Sequence, residues 1–307
     1  MIVLVLPPGC LRVARAPRRG SGVSSGGESA GYSPSPILPD TEKITDVDYL
    51  IMESVYGDRN HESRDDRQKY LEQTIEDNYQ RKGTLIIPTF SLERSQELLF
   101  ELDELVRNKR IPIMPIFLDS PLAIRLTEVF KQFKEYFNEN AQKSMSQEKH
   151  LFDFPGLHET LRSEESKMIN AVLNPKVVIA GSGMSSGGRI VHHEVNYLPN
   201  PNDTLLLTGY QAVGTPGRLI QEGVKTVHIM GEDVIVRAKV VTISGYSGHK
   251  DSDHLLAFVE DTAENLKKVF VVMGEPKSSM FLAQKIVDNL GVEAHVPELK
   301  ESVSIIC

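Results

Sequence analysis

From residue 46 onward, short apolar runs alternate with amphipathic stretches that begin at Ser, Thr, Asp or Pro and close on Gly. The apolar runs predict strands at 49–52, 84–88, 113–118, 176–180, 204–208, 226–229, 234–243, 269–273 and 294–297. The amphipathic stretches predict helices at 64–80, 91–107, 121–135, 188–197, 252–262 and 278–290. Strands alternating with helices imply an α/β fold, with a mostly parallel sheet covered by helices on its faces. The segment 138–167 is polar, carries Pro155 and Gly156, and reads as a long connection. Residues 1–36 are rich in Gly, Ser, Pro and Arg and lack apolar periodicity, so loop or disorder is expected there. That leader reads first as a flexible tail or an aberrant gene start, and only last as a nucleic-acid arm.

A chain of 307 residues with 40% hydrophobic content can bury one large core or two ordinary ones. Its net charge of −8 excludes a protein that coats nucleic acid through bulk charge, and confines any such site to a local groove. The two cysteines, Cys10 and Cys307, stand near opposite ends, which excludes a disulfide framework or a CxxC metal knuckle. The apolar run 2–6 is too short for a signal-peptide core, and no stretch reaches the roughly 20 apolar residues of a membrane helix. A soluble, cytoplasmic protein is the expectation.

The residues able to carry chemistry cluster at predicted strand exits. Glu53 follows the apolar run YLIM and opens ESVYGDRNHE; alone it reads as an ordinary strand-end acid. In PTFSLERSQELL, Ser91 can cap the next helix with Arg94 at its third position, where exposed backbone N–H groups favour phosphate. DSPLAIR repeats that strand-to-helix design. VVIAGSGMSSGGRIVHHE places Ser182, Ser185, Ser186 and Arg189 in a glycine-rich turn without the Walker lysine or GxGxxG spacing, which favours a clamp on a phosphate backbone. His192 and His193 point about 100° apart on a helix and read as packing residues. TLLLTGYQAVGTPGRLIQEG adds Arg218 in the same design, so that the several turns together read as a track for an anionic polymer. In TISGYSGHKDSDHLLAF, His249 precedes a helix capped by Asp251 or Ser252 and has Glu53 as a candidate orienting carboxylate. VFVVMGEPKSS places Met273 and Glu275 at a further strand end, where a thioether is a poor zinc ligand.

These elements, in this order, resemble the β-CASP branch of the metallo-β-lactamase superfamily, the branch of the cleavage-and-polyadenylation endonuclease and bacterial ribonuclease J. ESVYGDRNH resembles the first β-CASP motif, with Glu53 as its acid, and SGYSGHKD resembles the second, with His249 as its histidine. PTFSLERSQELL, DSPLA, GSGMSSGGR and GYQAVGTPGR resemble hallmarks of the β-CASP domain, and VVMGEPKSS occupies the place of the third motif. The resemblance implies an αββα sandwich with an inserted β-CASP domain, the sandwich spanning 37–57 and 226–307 and the insertion 58–225. It also implies two zinc ions, held mainly by an HxHxDH motif, and a bound hydroxide that attacks a phosphodiester while the motif histidine protonates the leaving oxygen.

The sequence departs from that pattern at the metal. Its nine histidines include no HxHxDH, nothing before Glu53 matches the metal-binding half, and Gly31 and Tyr32 stand roughly where a Gly-Asp pair is expected. Met273 replaces the third motif's histidine ligand. The sandwich is therefore expected to be incomplete, and this chain is not expected to assemble two zinc ions by itself. The leading expectation is a zinc-dependent ribonuclease acting on single-stranded RNA, with a homodimer as one form open to it and Glu53 and His249 as its catalytic residues. The rival is a catalytically dead RNA-binding or regulatory module. A phosphodiesterase for small substrates fits less well, because the arginine-bearing turns are dispersed.

Overall fold

The computed structural model describes residues 3–5, 13–15, 35–39, 44, 47–147 and 152–304. Cys10, Gly31, Tyr32, Cys307 and most of the leader lie outside the described residues. In chain order the strands are β1 (Val3–Val5), β2 (Val13–Arg15), β3 (Tyr49–Glu53), β4 (Thr84–Pro88), β5 (Ile116–Leu118), β6 (Leu157–Glu159), β7 (Lys176–Ala180), β8 (Thr204–Leu207), β9 (Thr226–Ile229), β10 (Glu232–Ile235), β11 (Lys239–Thr242), β12 (Lys268–Val272), β13 (Glu293–His295) and β14 (Ser302–Ser304). The helices are α1 (Arg64–Gln80), α2 (Arg94–Arg107), α3 (Pro121–Gln132), α4 (Glu139–Gln147), α5 (Ser163–Met168), α6 (Ile190–Tyr197), α7 (Pro216–Gln221), α8 (Ser252–Thr262) and α9 (Pro276–Leu290). No helix among the described residues is long and apolar enough to cross a membrane.

The chain forms two compact units, one from Met1–Pro34, Asp40–His61 and Gly248–Cys307, the other from Ser35–Pro39 and Glu62–Ser247. In the first unit a parallel sheet runs in the order β13-β12-β3-β2, and β1 pairs in parallel with β14. Alternation along the strands sends Leu50, Met52, Val269 and Val271 to the face covered by Leu255 and Val259 of α8 and Leu282 and Ile286 of α9. Burying each such side chain stabilises the fold by about 1.5–3 kcal/mol. Gly57 lies against α9 so closely that a Cβ there would meet the Ser278 carbonyl oxygen at 2.5 Å.

In the second unit a six-stranded, fully parallel sheet runs in the order β11-β8-β4-β7-β5-β6, beside the antiparallel hairpin of β9 and β10. Leu85, Ile87, Val177 and Ile179 face the core shared with α1, α2 and α3, whereas Ile86, Val178 and Ala180 face the core shared with α6 and α7. Burial on both faces is why TLIIP and KVVIA are continuous apolar runs and not alternating ones.

Several local expectations are corrected. The segment 138–167 carries α4, β6 and α5, because Asn138 caps α4 by accepting the Ala141 N–H at 2.8 Å, and Phe152 and Phe154 are buried. The single strand expected at 234–243 is two: β10 pairs with β9 and β11 with β8, and the intervening Arg237 and Ala238 N–H groups both turn to the Leu198 carbonyl. Within the stretch expected to be loop, Val3–Val5 and Val13–Arg15 are strands. Ser91 does not cap α2, which begins only at Arg94 after Glu93 at φ 64; the Ser91 hydroxyl faces that of Ser120 at 3.2 Å instead.

Buried polar groups lock the second unit's loops to its helices. Arg67, fully buried, donates to Glu101 and to the Gly245 carbonyl at 2.9 Å, with its guanidinium 4.6 Å from the Tyr246 ring centre. The Tyr246 hydroxyl donates to the same Glu101, and burial together with that carboxylate pushes its pKa well above the usual phenol range. Glu194, buried on α6, accepts the Ser185 hydroxyl and so holds the glycine-rich turn from beneath. Burial pushes its carboxyl up to about 7, against the lowering effect of the Ser185 hydrogen bond.

Glu194 thus holds its proton in the folded chain up to about pH 7, but in the unfolded chain only up to the ordinary glutamate value of 4.5. Folding takes up a proton in that window, so stability is fullest below it, falls as pH rises through about 7, and levels off above. Glu194→Gln is expected to remove this decline and to raise the Tm at pH 8 more than at pH 5, by up to about 3 kcal/mol of relative stability. Thermal melts of both proteins across that range check it, and parallel pH curves would count against the buried-acid assignment.

Candidate active site

Glu53 ends β3 and is 1% exposed, with its register partner on β12 being Val272. A carboxylate buried at a strand end needs donors, and the chain supplies them from two segments. Glu53 Oε2 accepts the Val55 N–H at 3.0 Å, and Oε1 accepts the Lys250 N–H at 3.2 Å. Glu53 Oε2 also lies 3.2 Å from His249 Nδ1, at ion-pair distance but off the line of a strong hydrogen bond. The His249 side chain is 26% exposed, so the imidazole has one nitrogen against a buried carboxylate while the ring edge still reaches solvent. That arrangement suits a histidine that gives up a proton and is stabilised when it carries one.

The turn bearing His249 is bound along its length to residues 56–61. Tyr56 pairs with Asp251 as an isolated parallel bridge, and the Ser252 N–H donates to the Arg59 carbonyl at 3.0 Å. Asp251, 1% exposed, accepts the His61 N–H at 3.2 Å and caps α8 by accepting the His254 N–H at 3.1 Å. Asn60 and Asp253 exchange two hydrogen bonds, of 2.6 and 3.2 Å. Of the two caps considered for this helix, Asp251 is the one used.

Met273 follows β12 at φ 62 with 57% of its surface exposed, and Glu275 precedes α9 without a side-chain capping bond. The Met273 thioether is a poor zinc ligand, and Glu275 offers one carboxylate. Among the described residues no three His, Cys, Asp or Glu side chains stand together as a metal-holding group. The donor set described here does not fit a two-zinc centre.

In the second unit, the carboxyl ends of β4, β5 and β7 bring together Ser91, Ser120 and the turn after Ala180. Asp119, fully buried at the end of β5, is the anchor: it accepts from Thr160 Oγ1 at 2.6 Å, Ser166 Oγ at 2.6 Å, Arg189 Nη1 at 2.6 Å and His193 Nε2 at 2.7 Å. Burial opposes its charge, but the donors led by His193, Ser166 and Thr160 outweigh burial and hold the carboxyl far below the usual carboxylate range. Strand-exit position and the DSPLA sequence made Asp119 visible in the sequence, yet only its fold neighbours reveal this role.

The residues expected to meet phosphate divide into two sets. Arg94 is 7% exposed and binds Glu97 and, at 2.6 Å, the Tyr246 carbonyl. Arg189 binds Asp119 and the carbonyls of Thr160 and Leu161, at 2.8 and 2.9 Å. Arg218 bonds Glu222 at 2.6 Å and reaches the Gln211 carbonyl at 3.3 Å, and Ser185 is held by Glu194. These side chains are engaged internally, because each guanidinium lies beside a carboxylate or carbonyl of its own unit. Ser182 and Ser186 form the outer set: their hydroxyls lie 3.2 Å apart on the exposed side of the turn. Gly188, at φ 74, lets the turn close, since a Cβ would meet the Gly181 carbonyl oxygen at 2.3 Å. His193 is buried against Tyr197, as a packing residue should be, while His192 is exposed.

Two family descriptions match the chain: the Beta-Casp domain over residues 95–220, and the Zn-dependent metallo-hydrolase RNA specificity domain over residues 233–297. Ribonuclease TTHA0252 of Thermus thermophilus is 36% identical over 270 residues, covering 88% of this chain and 61% of that protein. The transcription termination factor FttA of Methanosarcina mazei is 28% identical over 277 residues, covering 87% of this chain and 43% of that protein. An RNase J-like protein of Methanocaldococcus jannaschii is 29% identical over 263 residues, covering 85% of this chain and 60% of that protein. The chain thus spans about half the length of these relatives, or somewhat more. The parallel α/β architecture, the buried Glu53 beside His249 and the two successive domain matches lead to one assignment: the chain belongs to the β-CASP family of metallo-β-lactamase-fold nucleases.

Proposed function

We propose that this chain serves the hydrolysis of phosphodiester bonds in single-stranded RNA, with Glu53 and His249 as its acid pair. The observation that carries the reading is the buried Glu53 carboxylate, 3.2 Å from Nδ1 of a partly exposed His249. A carboxylate so placed favours the protonated imidazole, which can then pass its proton to the oxygen that leaves phosphorus. RNA as substrate rests on the RNA specificity domain and on the ribonuclease among the relatives. Zinc is the metal named in that family description, and it would supply charge neutralisation and an attacking hydroxide. The described residues do not fit such a centre.

On the second unit, Ser182 and Ser186 are the side chains we assign to the RNA backbone, with hydroxyl donors on an exposed glycine-rich turn. Arg189 and Arg94 act one layer below, fixing the turn and the start of α2. Arg218 steadies the loop before α7 through the Gln211 carbonyl.

Wherever the full chain cleaves end-labelled single-stranded RNA, His249→Ala is expected to cleave roughly 10²–10⁴ times more slowly with RNA affinity unchanged. Equal rates would remove His249 from the mechanism. RNA binding without cleavage by the unaltered chain would favour instead a catalytically dead RNA-binding module.

Replacing both Ser182 and Ser186 by Ala is expected to weaken RNA binding roughly thirtyfold, with Tm lowered only slightly through the lost Ser186 N–H bond to Ser182 Oγ, because about 1 kcal/mol is lost for each of the two hydroxyl hydrogen bonds. Arg189→Ala is expected to do the reverse, lowering stability by about 1–3 kcal/mol through Asp119 before it affects binding. Filter binding and thermal melts on the two variants separate these effects, and a binding defect confined to Arg189→Ala would invert the assignment.

A further inference from the structure

We propose that His61 is a positioning residue for His249, an assignment that rests on the ribonuclease reading above. His61 Nε2 lies 3.0 Å from the backbone carbonyl oxygen of His249. A carbonyl only accepts, so the contact requires the proton on Nε2, which both the Nε2–H tautomer and the imidazolium provide. The His61 ring stands edge-on to Tyr56, with centroids 4.2 Å apart and planes at 70°, and its own N–H is bound to Asp251 at 3.2 Å. His61 is thus fixed at the backbone and at the ring before it reaches His249.

Two groups then hold the catalytic turn from different sides. Glu53 takes the Lys250 N–H and faces the His249 ring, while His61 takes the His249 carbonyl. The peptide between His249 and Lys250 is bound at its oxygen by one and at its nitrogen by the other. With that peptide plane fixed, the His249 Cα is held in place, fewer backbone rotations can carry the ring away, and Nδ1 stays within reach of the carboxylate. Loss of the His61 donor frees the carbonyl end of the plane and lets the ring leave Glu53.

The test reads the His249 imidazole directly, by nitrogen NMR of the full chain labelled in histidine. In the unaltered protein the neutral His249 ring is expected to show one protonated and one unprotonated nitrogen, the proton on the Glu53 side. His61→Phe, which keeps a ring against Tyr56 but has no donor, is expected to merge the two signals into an averaged pair. His61→Gln, whose amide can donate, is expected to restore them. Signals of His158 and His228, which belong to the second unit, should not move in either variant. Unchanged His249 signals in His61→Phe would overturn the proposal, and so would their loss in both variants. Should His61→Phe fail to fold, His61→Glu takes its place as the variant without a donor at pH 8, and is read in the same way. Cleavage measured alongside is expected to fall in kcat by up to about 10²-fold with KM held. An unaltered chain that does not cleave, yet shows the His61 dependence, would remove the ribonuclease reading and leave the positioning role intact. Cleavage with His249 signals indifferent to His61 would do the opposite.

Discussion

A carboxylate that leaves water at the end of a buried strand must be met by donors, and the first unit is organised around that requirement at Glu53. β3 is flanked by parallel neighbours on both sides, so its last residue emerges at a fixed place at the sheet edge. Glu53 is nearly inaccessible there, and two backbone N–H groups meet it, one from its own chain direction and one from the turn before α8. The cost of leaving such a charge unpaired is several kcal/mol. The turn carrying His249 is therefore drawn to Glu53 by the same requirement that makes Glu53 tolerable.

The second unit repeats the device with a different outcome. Asp119 also ends a buried strand, but it gathers four side-chain donors and leaves nothing of itself to a ligand. Its histidine, His193, is buried, whereas His249 is partly open. The contrast separates a carboxylate whose acceptors are filled by its own unit from one that stands beside a partly open histidine. Both look alike as strand-exit acids, and the difference lies in what surrounds the histidine.

That contrast also marks how far the sequence could be read. Continuous apolar runs such as TLIIP and KVVIA gave β4 and β7 to the residue, because burial on both faces leaves an unbroken run, and the helix at Arg64–Gln80 matched its expected bounds. Glu53 and His249 were visible as a candidate pair because each stands at a strand exit, and motif order strengthened the pairing, although nearly 200 residues separate them and no local period links them. The elements within 138–167 were missed because α4 and α5 are polar and short, and because the segment's buried Phe152 and Phe154 fall in loop. The capping role given to Ser91 failed for a related reason: Glu93 adopts a positive φ, and no residue-type rule places it there.

The arginines carry the same lesson into recognition. Arg94, Arg189 and Arg218 stand in turns whose glycine and serine content invites phosphate, and sequence spacing gave all three the same standing. A guanidinium has five donors and is planar, so it serves equally well to clamp an anion or to tie carbonyls and carboxylates of its own fold. Near buried acids the second use is favoured, because an unpaired buried carboxylate costs more than a forgone surface contact yields. Asp119 commits Arg189 in this way, and Glu97 commits Arg94. What is left to face a ligand on that turn is small and neutral: the Ser182 and Ser186 hydroxyls on a glycine backbone. A net charge of −8 is consistent with such a surface, in which affinity for an RNA backbone would come from close hydrogen bonding more than from accumulated positive charge.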